Sequence, residues 1–125
     1  MAQHPRPSDI KERTFMFGVA IVRLCNELSK RPGVSRNLGY QLLRSGTSIG
    51  ANVEEAQAGQ SRADFLSKYS ISLKEARETI YWLRLIEASG EFDGEKLLAL
   101  KRETDEIARI IGAIIVRTKN NSGKK

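Results

Sequence analysis

Apolar residues recur at intervals of three and four along nearly the whole chain, and only three short stretches interrupt them. Ile10, Thr14, Phe17, Ile21, Leu24 and Leu28 form the first run, and Leu38, Leu42, Ile49, Val53 and Ala56 the second. Leu66, Tyr69, Leu73, Ala76, Ile80 and Leu83 form the third, and Leu97, Leu100, Thr104, Ile107, Ile111 and Ile114 the fourth. At 3.6 residues per turn each run falls on one face of an α-helix. The interruptions are Arg31-Pro32-Gly33, Gly59, and Ser89-Gly90 with Asp93-Gly94. Proline breaks the helical ladder, and glycine permits the left-handed turn that ends one. No segment alternates with period two over a useful length, so no strand is expected. Helices are expected over about 10–30, 36–58, 62–88 and 95–118, with N-caps at Ser8 or Asp9, Ser35 and Ser61. Asp64 stands three residues after Ser61, in the place of a capping-box acid. With loops this short, consecutive helices must lie antiparallel. The expected fold is an all-α, antiparallel up-down-up-down four-helix bundle over residues 9–118. A disordered leader, 1–8, precedes it and a basic disordered tail, 119–125, follows.

Two helices are more apolar than a lone bundle needs. Phe15, Val19 and Val22 lie about 140° from the Ile10–Leu28 face, so they cannot enter the same core. Ile71, Tyr81, Trp82 and Leu85 lie on the back of the third helix. Exposed stripes of this kind mark interfaces, and these seven residues are expected to join copies of the chain into a homo-oligomer.

Between the first two punctuation points runs the stretch RSGTSIGANVEE, residues 44–55. It is not a phosphate-binding loop: the two glycines are four apart, no Lys follows Gly50, and no strand precedes. On a helix, Arg44, Ser48, Asn52 and Glu55 fall within an arc of about 80° beside the apolar stripe. Gly46 and Gly50 share a different face, one turn apart. Each costs about 1 kcal/mol relative to Ala in a helix interior, a cost that close approach of another helix offsets. If the second and third helices turn near residue 60, position i faces position 120 minus i. Arg44 then reaches Glu75 and Glu78, Ser48 faces Ser72, and Asn52 faces Lys68. The expectation is a buried or half-buried Arg44–Glu75 ion pair within a polar network of Arg44, Ser48, Asn52, Glu55, Ser72 and Glu75. Such a pair fixes register more than it adds stability.

The same residues carry a family resemblance. LLRSGTSIGANVEEA resembles the hallmark of the four-helix bundle proteins of the 23S rRNA intervening-sequence type, approximately R-[small]-x-x-S-I-x-x-N-I-x-E-G. Arg44, Ser48, Ile49, Asn52 and Glu55 match it, and Val53 is a conservative variant. Ser72, Leu73 and Glu75 match a Ser-Leu-x-Glu element, and Phe65 to Leu73 an aromatic-rich segment before it. The likeness runs from about Phe15 to Val116. Leu43 stands where the family often has a second Arg, Gly50 lies near its usual Pro, and Ala56 stands near its usual Gly. The resemblance implies a left-handed bundle that assembles into a ring, usually of five subunits. It implies no substrate. The architecture is also similar to the basic pentameric accessory proteins of diversity-generating retroelements, which partner a reverse transcriptase and nucleic acid.

Several chemistries are excluded. A di-iron bundle needs Glu-x-x-His pairs, and the one histidine is His4, in the leader. The one cysteine, Cys25, forms no internal disulfide and falls on the core side of its helix, with no histidine to activate it. A zinc site needs several such ligands. Glu54 and Glu55 are adjacent and diverge by about 100° on a helix, so they do not converge on a substrate. No cofactor, metal site or enzymatic activity is expected. No apolar run approaches the ~20 residues that span a bilayer. No apolar signal segment opens the chain, so a cytoplasmic protein without membrane contact is expected.

Charge leaves nucleic acid in view. The chain has 21 basic and 15 acidic residues, a formal excess of +6. Its last nine residues, RTKNNSGKK, hold four basic residues and no acid; without them 17 face 15. One bundle end gathers Arg6, Lys11, Arg13, Arg62, Lys68, Arg117, Lys119, Lys124 and Lys125 against Asp9, Glu12, Glu54, Glu55 and Asp64. Phosphate backbones favour such an end. No sequence-reading motif is present, so binding of structured RNA or DNA should follow backbone and shape. Lys11, Arg13, Arg62, Arg117, Lys119, Lys124 and Lys125 are the expected contacts, with a partner protein alongside as a further prospect. The alternative is a protein-interaction scaffold whose basic tail only aids solubility.

Overall fold

The computed structural model describes residues 7–59, 61–92 and 94–122, without the side chains of Pro7, Ser8 and Ser122. Four helices account for nearly all of them: α1 (Pro7–Ser29), α2 (Val34–Gln57), α3 (Arg62–Ala88) and α4 (Glu95–Ser122). No strand occurs among the described residues.

The helix ends follow from local chemistry, with three departures from expectation. Pro7 opens α1, where its missing N–H would have no partner anyway. Ser8 and Asp9 therefore lie inside the helix rather than capping it, and Asp9 complements the dipole of the first turn. At α2 the cap position is Gly33, with φ 81° and ψ −131°, a conformation open to glycine. Ser35, the expected cap, is buried instead, and its hydroxyl donates to the Glu91 carboxylate. Arg31 donates to the Glu91 carbonyl and lies 5.2 Å over the Phe92 ring, so the first and third connections are tied together at one end. Ser61 caps α3 as expected, accepting from the Asp64 N–H at 3.1 Å. Finally, α4 stays helical through Ser122, past Thr118, and Lys119 lies in its last turn.

Each helix packs on two neighbours: α1 on α2 and α4, and α3 on α2 and α4, with no contact across the diagonals. The pairings run antiparallel. Gly39, Gly46 and Gly50 of α2 sit on Leu28, Ile21 and Thr14 of α1, one number rising as the other falls. Between α2 and α3 the same inverse order links Glu55 to Lys68, Ile49 to Ser72 and Ser45 to Thr79. The glycines explain the close α1–α2 approach. A Cβ on Gly46 would lie 2.9 Å from two Ile21 side-chain carbons, and one on Gly50 would lie 3.1 Å from the Thr14 carbonyl oxygen.

All the apolar residues expected in the first and fourth runs are buried, including Thr14 and Thr104, whose hydroxyls donate to the carbonyls four residues back. The inner face of α3 is rotated relative to expectation. Ser72, Thr79 and Ile86 are buried with Tyr69, Ala76 and Leu83, while Leu66, Leu73 and Ile80 are only half-buried. The reason is hydrogen bonding. Ser72 donates to the Ile49 carbonyl at 2.8 Å, and Thr79 shares its hydroxyl with Ser45 at 3.0 Å and the Glu75 carbonyl at 2.8 Å. Small hydroxyl residues satisfied this way can enter a core that larger aliphatics would overfill. The α1–α4 seam is the loosest, and a cleft of about 690 Å³ opens along it beside Met16, Ala20 and Leu100.

Candidate nucleic-acid interface

Arg44 sits where α2 and α3 meet, and both expected acids reach it. Its guanidinium pairs with Glu75 at 3.5 Å and hydrogen-bonds Glu78, whose carboxylate also accepts from the Trp82 indole at 3.0 Å. The Glu75 side chain is only 15% exposed, and one carboxylate oxygen is buried without a hydrogen bond, held by the ion pair alone. Ser72 completes the core of this contact through Ile49. Ser48 and Asn52 stay on their own helix, donating to the Arg44 and Ser48 carbonyls. Lys68 pairs with Glu55 at 2.6 Å rather than facing Asn52. The arrangement locks α2 to α3.

The adjacent acids divide as helix geometry requires. Glu54 turns to Lys11 of α1 at 3.7 Å and Glu55 to Lys68 of α3. Among the described residues no group of three or more His, Cys, Asp or Glu side chains could hold a metal ion. His4 lies outside the described residues. Cys25 is buried in the core, and desolvation pushes its thiol up to about 12. A thiol so placed is protonated at neutral pH and inert as a nucleophile. No described helix is long and apolar enough to cross a membrane.

The basic end is less open than its charge count implies. Arg13 forms a two-pronged pair with Glu103 of α4, at 2.7 and 2.8 Å, and these hydrogen bonds raise its pKa against the opposing effect of burial. Lys11 and Lys68 are also spent on acids of neighbouring helices. Arg62 and Thr118 border an open cleft of about 530 Å³ with Phe65 and Asn121, and Lys119 is exposed one turn away. Lys124 and Lys125 lie outside the described residues.

A different group of cations stands free. Lys74, Arg77 and Arg84 project from the outer face of α3, all exposed, and none forms an ion pair or hydrogen bond among the described residues. The acids nearest in sequence are engaged elsewhere: Glu75 and Glu78 with Arg44, and Glu87 with Lys101. Counting charge by bundle end overlooks these three residues. Their spacing on one helical face was the available signal. The two outward apolar stripes also differ. Phe15 and Val22 are 57% and 49% exposed, with Val19 half-buried, around a groove of about 310 Å³ between α1 and α2. On α3, Ile71 and Tyr81 are exposed, while Trp82 and Leu85 are half-buried.

The family model for 23S rRNA-intervening sequence proteins matches residues 6–113, most of the bundle. The chain belongs to this family. A solved structure from Bacteroides thetaiotaomicron VPI-5482, titled a protein with unknown function from the S23 ribosomal protein family, is 40% identical in sequence. It superposes with a TM-score of 0.80, covering 87% of this chain and 96% of its own. No curated protein matches the chain. The likeness shows the family and its all-α, four-helix fold.

Proposed function

We propose that the protein is a non-enzymatic, cytoplasmic, self-associating helical bundle that binds structured RNA or DNA through its phosphate backbone. The observation that carries this reading is the surface charge left over once ion pairs are formed. Among the described residues, Glu54, Glu55, Glu75, Glu78, Glu87 and Glu103 pair with cations of neighbouring helices, while Asp9, Glu12, Asp64 and Glu95 stay exposed without an ion pair; Lys74, Arg77, Arg84, Arg102 and Lys119 are exposed cations that form none, three of them together on α3. Free, exposed cations cost little to bring against phosphates, because no existing pair has to break. The basic end adds Lys119, but Lys11, Arg13 and Lys68 contribute less than their number suggests.

Self-association supports the same role. Phe15 and Val22 are exposed and, with half-buried Val19, form an apolar stripe bordered by a groove, the features of a surface that is covered in a working assembly. The family resemblance favours left-handed bundles closing into a ring of five. A ring repeats each cationic surface around one axis and multiplies its effect through effective concentration.

The test is a fluorescence anisotropy titration against an RNA hairpin and a DNA duplex at two salt concentrations. A Lys119→Gln/Lys124→Gln/Lys125→Gln variant runs alongside; substitution is preferred to deletion because α4 is helical through Ser122. Submicromolar binding that weakens with salt and modestly in the variant is expected. No binding at low salt by a folded, oligomeric protein overturns the reading and leaves the interaction scaffold.

A further inference from the structure

We propose that the outer face of α3 is an RNA-binding stripe in which Lys74, Arg77 and Arg84 hold the backbone and Tyr81 stacks on an unpaired base. The inference rests on the nucleic-acid reading above and assigns it to a surface away from the basic end.

Four observations carry it. The four residues share an arc of about 80° on one helix, by the 100° step between residues. Lys74 to Arg84 spans about 15 Å at 1.5 Å per residue, the length of some four stacked nucleotides. All three cations are exposed and unpaired among the described residues, and the acids within one turn of them on α3, Glu75, Glu78 and Glu87, are committed to Arg44 and Lys101. Tyr81 is 53% exposed, lies one turn from both Arg77 and Arg84, and is held edge-on by Trp82 at 5.1 Å between ring centroids. Trp82 is in turn fixed by its bond to Glu78. The Arg44 network therefore has a consequence at the surface. It removes two acids from the stripe and braces the aromatic pair.

Charge complementarity decides the occupant. Ile71, Tyr81, Trp82 and Leu85 read alone suggest a contact between copies of the chain. The cores of protein interfaces are depleted of charged residues, however, and a second copy of a chain with an excess of +6 brings no surplus of acid. The groove beside the α1 stripe is lined by a single charged residue, Glu54, which is paired with Lys11, and suits self-association better. An aromatic between cations suits nucleic acid, where phosphates take the charges and a base takes the ring. Folded RNA offers unpaired bases beside its backbone in loops; a DNA duplex keeps its bases stacked and paired.

The experiment compares wild-type protein, K74Q/R77Q/R84Q, Y81L and a control R23Q/K30Q/R36Q. The control removes equal charge from exposed positions elsewhere. Each is titrated against a looped RNA hairpin, a DNA duplex and polyglutamate at several salt concentrations, with circular dichroism confirming the fold. Expected on the hairpin is a loss of about thirtyfold or more in the α3 triple variant, with a log–log salt slope lower by about 2 to 3. The control is expected to lose only a few-fold, and Y81L about tenfold on the hairpin with little change on duplex. Equal losses in the α3 and control variants overturn the stripe while leaving nucleic-acid binding intact. Duplex binding as tight as hairpin binding overturns the assignment to RNA. Polyglutamate bound as tightly as the hairpin, and lost in the same variant, points to an acidic protein instead. Failure of the wild type to bind either nucleic acid overturns the parent reading.

Discussion

Substituting Gly50 by Ala should destabilise the bundle, although alanine is the better helix former. The added Cβ would lie 3.1 Å from the Thr14 carbonyl oxygen and 3.2 Å from its carbonyl carbon. Unstrained contacts of this kind lie at about 3.5–4.0 Å. Both neighbours are backbone of a helix that is buried at this point, Thr14 being 1% exposed, so no side chain can rotate away. Relief requires α1 to move outward by several tenths of an ångström, and core overpacking of that kind costs about 1–3 kcal/mol. Against it stands a gain in helix propensity of about 1 kcal/mol. The net expectation is a loss of about 1 kcal/mol. Gly112, on α4, has nothing within 4 Å of the same added atom, so Gly112→Ala should gain about the propensity term alone. The two variants therefore differ in sign and by about 2 kcal/mol. Urea denaturation followed by circular dichroism, at one fixed protein concentration, reads the difference as a shift in midpoint. Gly50→Ala at or above the stability of Gly112→Ala would refute the claim that glycine brings α2 against α1.

Removing the guanidinium in Arg44→Met strands two carboxylates, one of them mostly buried; the expected loss is about 1–3 kcal/mol, discounted because Arg44 is 43% exposed. Adding Glu75→Gln and Glu78→Gln to that variant should recover part of the loss, and no recovery in denaturation midpoint would remove the ion pair from the account. The Cys25 thiol, pushed up to about 12 by burial from an ordinary 9.0, stays neutral in the fold while the unfolded chain ionises. Its contribution is therefore intact below pH 9 and is lost as pH climbs towards 12, so Cys25→Ala should flatten the alkaline fall in melting temperature. A Phe15→Glu/Val22→Glu variant should sediment as a smaller species with its helical signal intact; an unchanged mass would release the α1 stripe from its role between subunits.

How far the residues foretold the structure depended on what kind of signal each carried. The first and fourth helices could be read almost residue by residue, because their inner faces are aliphatic and repeat without interruption. Arg44, Glu75 and Ser72 were legible as a contact between α2 and α3 because one turn of known length fixes which residues face one another. The inner face of α3 was harder to read: Ser72 and Thr79 count as polar in any periodicity, yet their hydroxyls are satisfied in the core. Ser35 illustrates the same limit. Its propensity favours a cap, but Glu91, distant in sequence, supplies a better partner. Charge was the least legible property. Lys11, Arg13 and Lys68 looked available until the fold showed which acid each one meets, and Lys74, Arg77 and Arg84 became prominent only once their acidic neighbours proved to be engaged.

The most direct test of the central claim is the salt dependence of wild-type binding to an RNA hairpin. Cationic side chains on a phosphate backbone release counterions, so the logarithm of affinity should fall linearly with the logarithm of salt. A slope of about −3 or steeper corresponds to three or more phosphates engaged by each binding unit. A slope near zero, or no measurable affinity at low salt, would contradict the account.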